Sequence, residues 1–136
     1  VTKARDAVLS ALERLGRPTA ALAIAEALVG RCDQATVYRA LHWLEANGFV
    51  EAFEFRCELE GPGRYYAAKG GCHRHWFHCE RCHRFVDLGP CALDGVLESL
   101  SRERGISIAS HYFGASGLCA DCRESPPGAK ERAPAS

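Results

Sequence analysis

Two short cysteine pairs, Cys79-Glu80-Arg81-Cys82 and Cys119-Ala120-Asp121-Cys122, constrain this chain more than any other feature. Each C-x-x-C turn holds two thiols at a separation that one tetrahedral ion can bridge, and two such turns complete a shell of four sulfurs. A closed shell leaves no position for water or substrate, so the expected role is structural. Thiolates are soft ligands, which favours zinc. These four are half of the eight cysteines in 136 residues. A secreted chain would pair them as disulfides, and a single C-x-x-C would read as a redox pair. The doubling, with histidines crowding the first pair, favours metal ligation in a reducing compartment. No apolar run approaches the roughly 20 residues needed to span a bilayer. No charged segment followed by an apolar one opens the sequence, so a cytoplasmic location without a membrane partner is expected.

The composition changes along the chain. Residues 1–68 hold two cysteines and one histidine, and residues 69–122 hold the other six cysteines and five histidines. Ala68-Lys69-Gly70-Gly71 lies at the break and suggests a hinge. Three segments are expected: a domain over 1–68, a metal-binding domain over 69–122, and a disordered tail over 123–136 that is rich in Pro, Ala, Glu and Lys.

The first segment reads as three helices and a hairpin. Val8, Ala11, Leu12 and Leu15 follow helical spacing up to Gly16. Thr19 is expected to cap a second helix and Asp33 a third, in which Val37, Ala40, Leu41 and Leu44 form the buried stripe before Asn47-Gly48. Strands follow at Phe49–Phe55 and Arg64–Ala68, joined by Gly61-Pro62-Gly63. Helix-turn-helix followed by a hairpin is winged-helix order. The stripe leaves Gln34, Thr36, Tyr38 and Arg39 to face outward near the start of the third helix. Arg can read guanine, Gln can read adenine, and hydroxyls reach phosphates. An ordinary solvated helix face would show the same pattern, and the charge does not decide. Residues 1–68 carry eight Lys/Arg and nine Asp/Glu, without the basic surplus usual in DNA-binding domains.

In the second segment, Trp76–Cys82 and Phe85–Leu88 are expected to pair. A helix from Pro90 to Arg104 carries Leu93, Val96, Leu97 and Leu100 on one face, and Ile106–Phe113 reads as a strand. His73 and His75 are two residues apart, so in an extended segment they share a face and supply half a tetrahedral site. Asp94 and His111 are available to finish it. Cys32 and Cys57 read as small buried residues, and Cys91 has no assigned role.

Taken together, Ala35-Thr36-Val37-Tyr38-Arg39-Ala40-Leu41, Gly48-Phe49-Val50, the His-x-His stretch before Cys79, and His111 followed by Gly117-Leu118-Cys119-Ala120-Asp121-Cys122 resemble the ferric uptake regulator family, and within it the zinc uptake regulators. The resemblance runs from the first helix to Cys122. It implies an α+β fold: an N-terminal winged-helix DNA-binding domain joined by a hinge to a C-terminal α/β dimerisation domain with a four-cysteine zinc site. It implies structural zinc at Cys79, Cys82, Cys119 and Cys122, and a regulatory site at His73, His75, Asp94 and His111. A second regulatory site would use Glu51, Cys72, His78 and Asp87, with His78 replacing the strand histidine whose position Trp76 occupies. One structural and one or two regulatory zinc ions per chain follow. So does a homodimeric repressor of zinc-uptake genes, with double-stranded operator DNA as partner and no small organic substrate. Sensors of iron, manganese, nickel or peroxide share the framework. A zinc-ribbon adaptor for proteins is the alternative outside it. A zinc hydrolase or deaminase is disfavoured, because no H-x-E accompanies a P-C-x-x-C.

Overall fold

A computed structural model describes residues 2–57 and 61–124. The expected tail lies outside the described residues from 125 onward; Arg123 and Glu124 belong to a short final helix.

Helix α1 (Lys3–Leu15) starts where the Thr2 hydroxyl accepts the Arg5 N–H, and it stops at Gly16, whose left-handed backbone returns an N–H to the Leu12 carbonyl. Thr19 does not cap the next helix. It lies in a two-residue strand β1 (Thr19–Ala20) opposite Tyr66, and its hydroxyl donates to the Arg17 carbonyl. Ala20 then precedes α2 (Ala21–Ala27) without a side-chain cap. Helix α3 (Gln34–Ala46) is capped by Asp33, whose carboxylate accepts the Thr36 N–H at 2.7 Å. That bond holds the Asp33 carboxyl below its ordinary pKa. Val8, Leu12, Ile24, Leu28, Val37, Leu41 and Leu44 interlock between the three helices, each no more than 1% exposed. Val50 and Tyr66 close this core from the sheet side.

Strands β2 (Val50–Cys57) and β3 (Gly61–Ala68) form a hairpin in antiparallel register from Val50 opposite Ala68 to Cys57 opposite Gly61, so Gly61-Pro62-Gly63, expected as the turn, pair within β3 instead. With β1 they make a three-stranded sheet of order β1-β3-β2.

The second sheet has the order β5-β4-β6. Strand β4 (Arg74–Cys79) runs antiparallel to β5 (Phe85–Pro90) and parallel to β6 (Gly114–Gly117). Pro90 ends β5, and the following helix α4 spans Asp94–Arg104. The strand expected over Ile106–Phe113 does not form. The edges of β4 are taken by β5 and β6, and residues 106–113 pair with neither outer strand of that sheet. Its large apolar side chains lie open, Ile106 at 54% exposure and Tyr112 at 90%. The apolar face of α4 is also uncovered: no residue of α4 is buried, and Val96 and Leu100 are exposed. Helix α5 (Ala120–Glu124) completes the described fold.

A second apolar cluster joins the two sheets. Phe55, Cys57 and Tyr65 from the first pack against Trp76 and Phe85 from the second, with the Phe55 and Phe85 rings 5.0 Å apart.

Truncating Leu41 tests the helical core. Leu41→Ala should destabilise the protein by about 2–5 kcal/mol, read as a lowered urea midpoint at unchanged slope.

Candidate metal centres and nucleic-acid interface

Cys79 ends β4, Cys82 lies in the turn that follows, Cys119 precedes α5 and Cys122 lies within it. The four sulfurs all fall within 4.8 Å of one another, and all four residues are buried. Cys82 Sγ and Cys119 Sγ are 3.7 Å apart. Tetrahedral bonds of about 2.3 Å would place two sulfurs about 3.8 Å apart. The site is also prepared for negative charge. The backbone N–H groups of Cys82 and Cys119 point at Cys79 Sγ, and Arg84 reaches Cys119 Sγ at 3.2 Å. Burial raises the Cys79 thiol, but the N–H groups of Cys82, Cys119 and Arg81 outweigh it and bring the pKa down to about 6. Burial instead pushes Cys122 up to about 12 and also raises Cys82. Four sulfurs this close cannot all ionise on their own. A divalent cation between them removes that conflict, so the donor set fits a closed structural zinc.

A second cluster gathers His73, His75, Cys91 and His111. The Nε2 atoms of His73 and His75 each lie 3.1 Å from His111 Nε2. Cys91 Sγ lies 3.3 Å from His75 Nε2 and 3.4 Å from His111 Nε2. Tetrahedral coordination by nitrogen would set neighbouring donors about 3.3 Å apart. The far ring nitrogens have acceptors of their own. His73 Nδ1 is 2.9 Å from the Glu51 carboxylate, and His75 Nδ1 is 3.0 Å from the Phe113 carbonyl. Protons on both Nδ1 atoms leave both Nε2 lone pairs aimed at one point, an arrangement suited to a cation. Burial lowers the His75 pKa against the opposing pull of the Phe113 carbonyl, which favours the neutral, ligating form. The cluster borders a cleft of about 600 Å³ between β2 and the segment around His111, lined also by Glu51, Phe53 and Phe113.

Asp94 is not in this cluster. It is exposed at the first position of α4. Strand β5 runs opposite β4 as far as Pro90, so the chain crosses the histidines at Cys91, whose N–H donates to the His73 carbonyl. No spacing rule points to Cys91; only the register of Pro90 against Arg74 places it there.

The four residues expected to form a second regulatory site are not brought together. Glu51 engages His73. Asp87 pairs with Arg74 and accepts the Gly89 N–H. Cys72 joins no donor cluster among the described residues. His78 points inward instead, grouped with Cys57 and His83, because it faces the aromatic cluster between the sheets.

On α3, Gln34, Tyr38 and Arg39 are exposed and Thr36 is half-buried. Gln34 donates to the Tyr38 hydroxyl, and Arg39 donates to the Thr36 hydroxyl, both at 3.1 Å. These exposed bonds hold polar groups ready on one open surface, where a nucleic acid can exchange them.

Three helices and a hairpin are followed by a sheet that carries a four-cysteine cluster and a histidine cluster, each with a donor set that could hold a metal ion. Residues 1–115 match the ferric uptake regulator family, and the chain belongs to that family of metal-responsive, DNA-binding transcription regulators. No curated protein sequence matches the chain. Among solved structures, the Helicobacter pylori ferric uptake regulator Fur is 22% identical with a TM-score of 0.71, covering 92% of this chain and 83% of its own. Holo XcZur is 27% identical with a TM-score of 0.67, covering 91% and 86%. A zinc uptake regulator complexed with zinc and DNA is 25% identical with a TM-score of 0.67, covering 90% and 83%. Iron and zinc regulators are both among these neighbours, so the fold does not single out one branch.

Cys82→Ser tests the closed shell. Tightly held zinc should fall by one ion per chain in elemental analysis, and the second half of the chain should lose its cooperative melting, since a structural ion supplies folding energy.

Proposed function

We propose that this chain is a zinc-responsive repressor that binds double-stranded operator DNA as a homodimer when zinc-loaded, and that it represses genes for zinc uptake. The observation that carries this reading is the thiol of Cys91 among three converging imidazoles. A sulfur and three neutral nitrogens form a soft-to-borderline set with a single ligand charge, which suits zinc better than the carboxylate-rich sets preferred by harder ions. Similarity to holo XcZur and to the zinc- and DNA-bound regulator supports the same branch. One structural ion at Cys79, Cys82, Cys119 and Cys122 and one regulatory ion at His73, His75, Cys91 and His111 are proposed per chain.

The coupling runs through Glu51. This carboxylate sits on β2, directly after the helical reader, and it holds Nδ1 of His73, a residue of the second half. Fixing His73 fixes the partner of Glu51, and with it the angle between the halves. Metal binding that favours one angle raises DNA affinity by linkage. Gln34, Thr36, Tyr38 and Arg39 then meet the major groove. The uncovered faces of α4 and of Ile106–Phe113 support a homodimer, because apolar surface left open by one chain is the surface a second copy can bury. A DNA-binding role supports a cytoplasmic location. No helix among the described residues is long and apolar enough to cross a membrane.

The test is a fluorescence-anisotropy titration of operator fragments selected from genomic DNA, with zinc, with ferrous iron and with a chelator. Zinc should tighten binding, and His111→Ala should remove that response while leaving the four-cysteine zinc in place. Equal affinity with and without zinc, or a response to iron alone, overturns the proposal. Arg39→Ala should weaken zinc-dependent binding by about 1–3 kcal/mol if Arg39 reads a base.

A further inference from the structure

The group formed by Cys57, His78 and His83 has no part in either centre described above. Its donor atoms lie within 4.8 Å of one another. The three residues are 2%, 2% and 3% exposed. They come from three places: the last residue of β2, the residue of β4 just before Cys79, and the turn before β5. The walls are apolar. The His78 ring lies 5.0 Å from the Phe85 ring and 6.1 Å from the Phe55 ring.

Two features mark this as more than a packed corner. His78 Nε2 is buried and has no hydrogen-bond partner. A buried nitrogen without a partner is costly, and a cation bound to it would recover that cost. His83 holds φ at +65°, the one positive φ among the described non-glycine residues. That turn directs an imidazole inward at a position where glycine or asparagine would be the ordinary choice. Cys57 Sγ and His83 Nδ1 are 3.9 Å apart. Two donors bound at about 120° with bonds of about 2.3 and 2.0 Å would lie about 3.7 Å apart.

We propose that Cys57, His78 and His83 form a third metal site, and that its ligand is a single cuprous ion. Charge and donor number select the ion. One thiolate and two neutral imidazoles carry a net charge of −1, which a monovalent cation cancels. A divalent ion would leave a positive charge among aromatic rings, where uncompensated charge is costly. The carboxylate that acts on His78 belongs to exposed Glu80. A d10 monovalent ion accepts three soft donors in a plane and needs no water, whereas zinc seeks a fourth ligand. On binding, the Cys57 thiol gives its proton to solvent, and no electron is transferred. The ion would tie the end of the wing strand β2 to the second sheet, independently of the bond between Glu51 and His73.

The experiment is an anaerobic titration of the zinc-loaded full-length protein with cuprous ion against a chromogenic cuprous chelator, with released zinc measured in parallel. The wild type should take up one cuprous ion per chain without releasing zinc. X-ray absorption should show one sulfur and two nitrogen neighbours. Cys57→Ala, which keeps a small apolar side chain, should weaken uptake by more than the ~10–100-fold typical of losing a supporting residue. His83→Asn, which suits the left-handed backbone, should do the same, and Cys91→Ser should not. Unchanged zinc content and far-ultraviolet dichroism in Cys57→Ala and His83→Asn would show that these two variants fold. Uptake matched by zinc release, uptake retained in Cys57→Ala, or a zinc ion instead of a cuprous one lost from that variant each overturns the proposal.

Discussion

Four cysteine sulfurs packed into one buried corner are an unstable proposition without a positive charge between them. Neighbouring N–H groups and Arg84 draw Cys79 and Cys119 toward the thiolate, while burial holds Cys82 and Cys122 in the thiol form. A chain with so little apolar core in its second half has few other means of fixing β4 against α5. The cluster between them consists of the four cysteines with Phe77 against them. The placement of His75 and His78 depends on that anchor, since both lie on the strand that Cys79 ends, and His73 stands just before it.

What can be read from the residues follows from how local each signal is. The C-x-x-C pairs, the Asp33 cap and the stripe Val37, Ala40, Leu41 and Leu44 are set by neighbours within one or two turns, and they lie where spacing puts them. Thr19 misleads because a hydroxyl that could cap a helix can equally bond backward to Arg17, and strand pairing with Tyr66 decides between the two. Cys91 is hidden and Asp94 attractive for one reason. The ligand facing His73 and His75 depends on where β5 stops, and that boundary is a property of sheet register. The inward turn of His78 likewise depends on Phe55 arriving from the other half. The family resemblance identifies the framework correctly, but a residue-by-residue transfer does not account for Cys91 standing where a carboxylate is expected.

The two clusters differ in how they use their surroundings. The cysteine corner is buried and local to the second half. The histidine cluster opens on a cleft and takes Glu51 from the first half, so what happens there is felt by both. Such a division suits a molecule that must stay folded whatever the metal supply and yet respond to it.

The interleaving of Phe55 and Tyr65 with Trp76 and Phe85 has a mechanical consequence. With edge-to-face rings filling the joint, the halves behave less like doors on a free pivot than like stacked plates. One can slip over the other by small amounts, but wide opening would expose several aromatic faces at once. Any reorientation of α3 relative to the second half should therefore proceed by shear through a narrow arc.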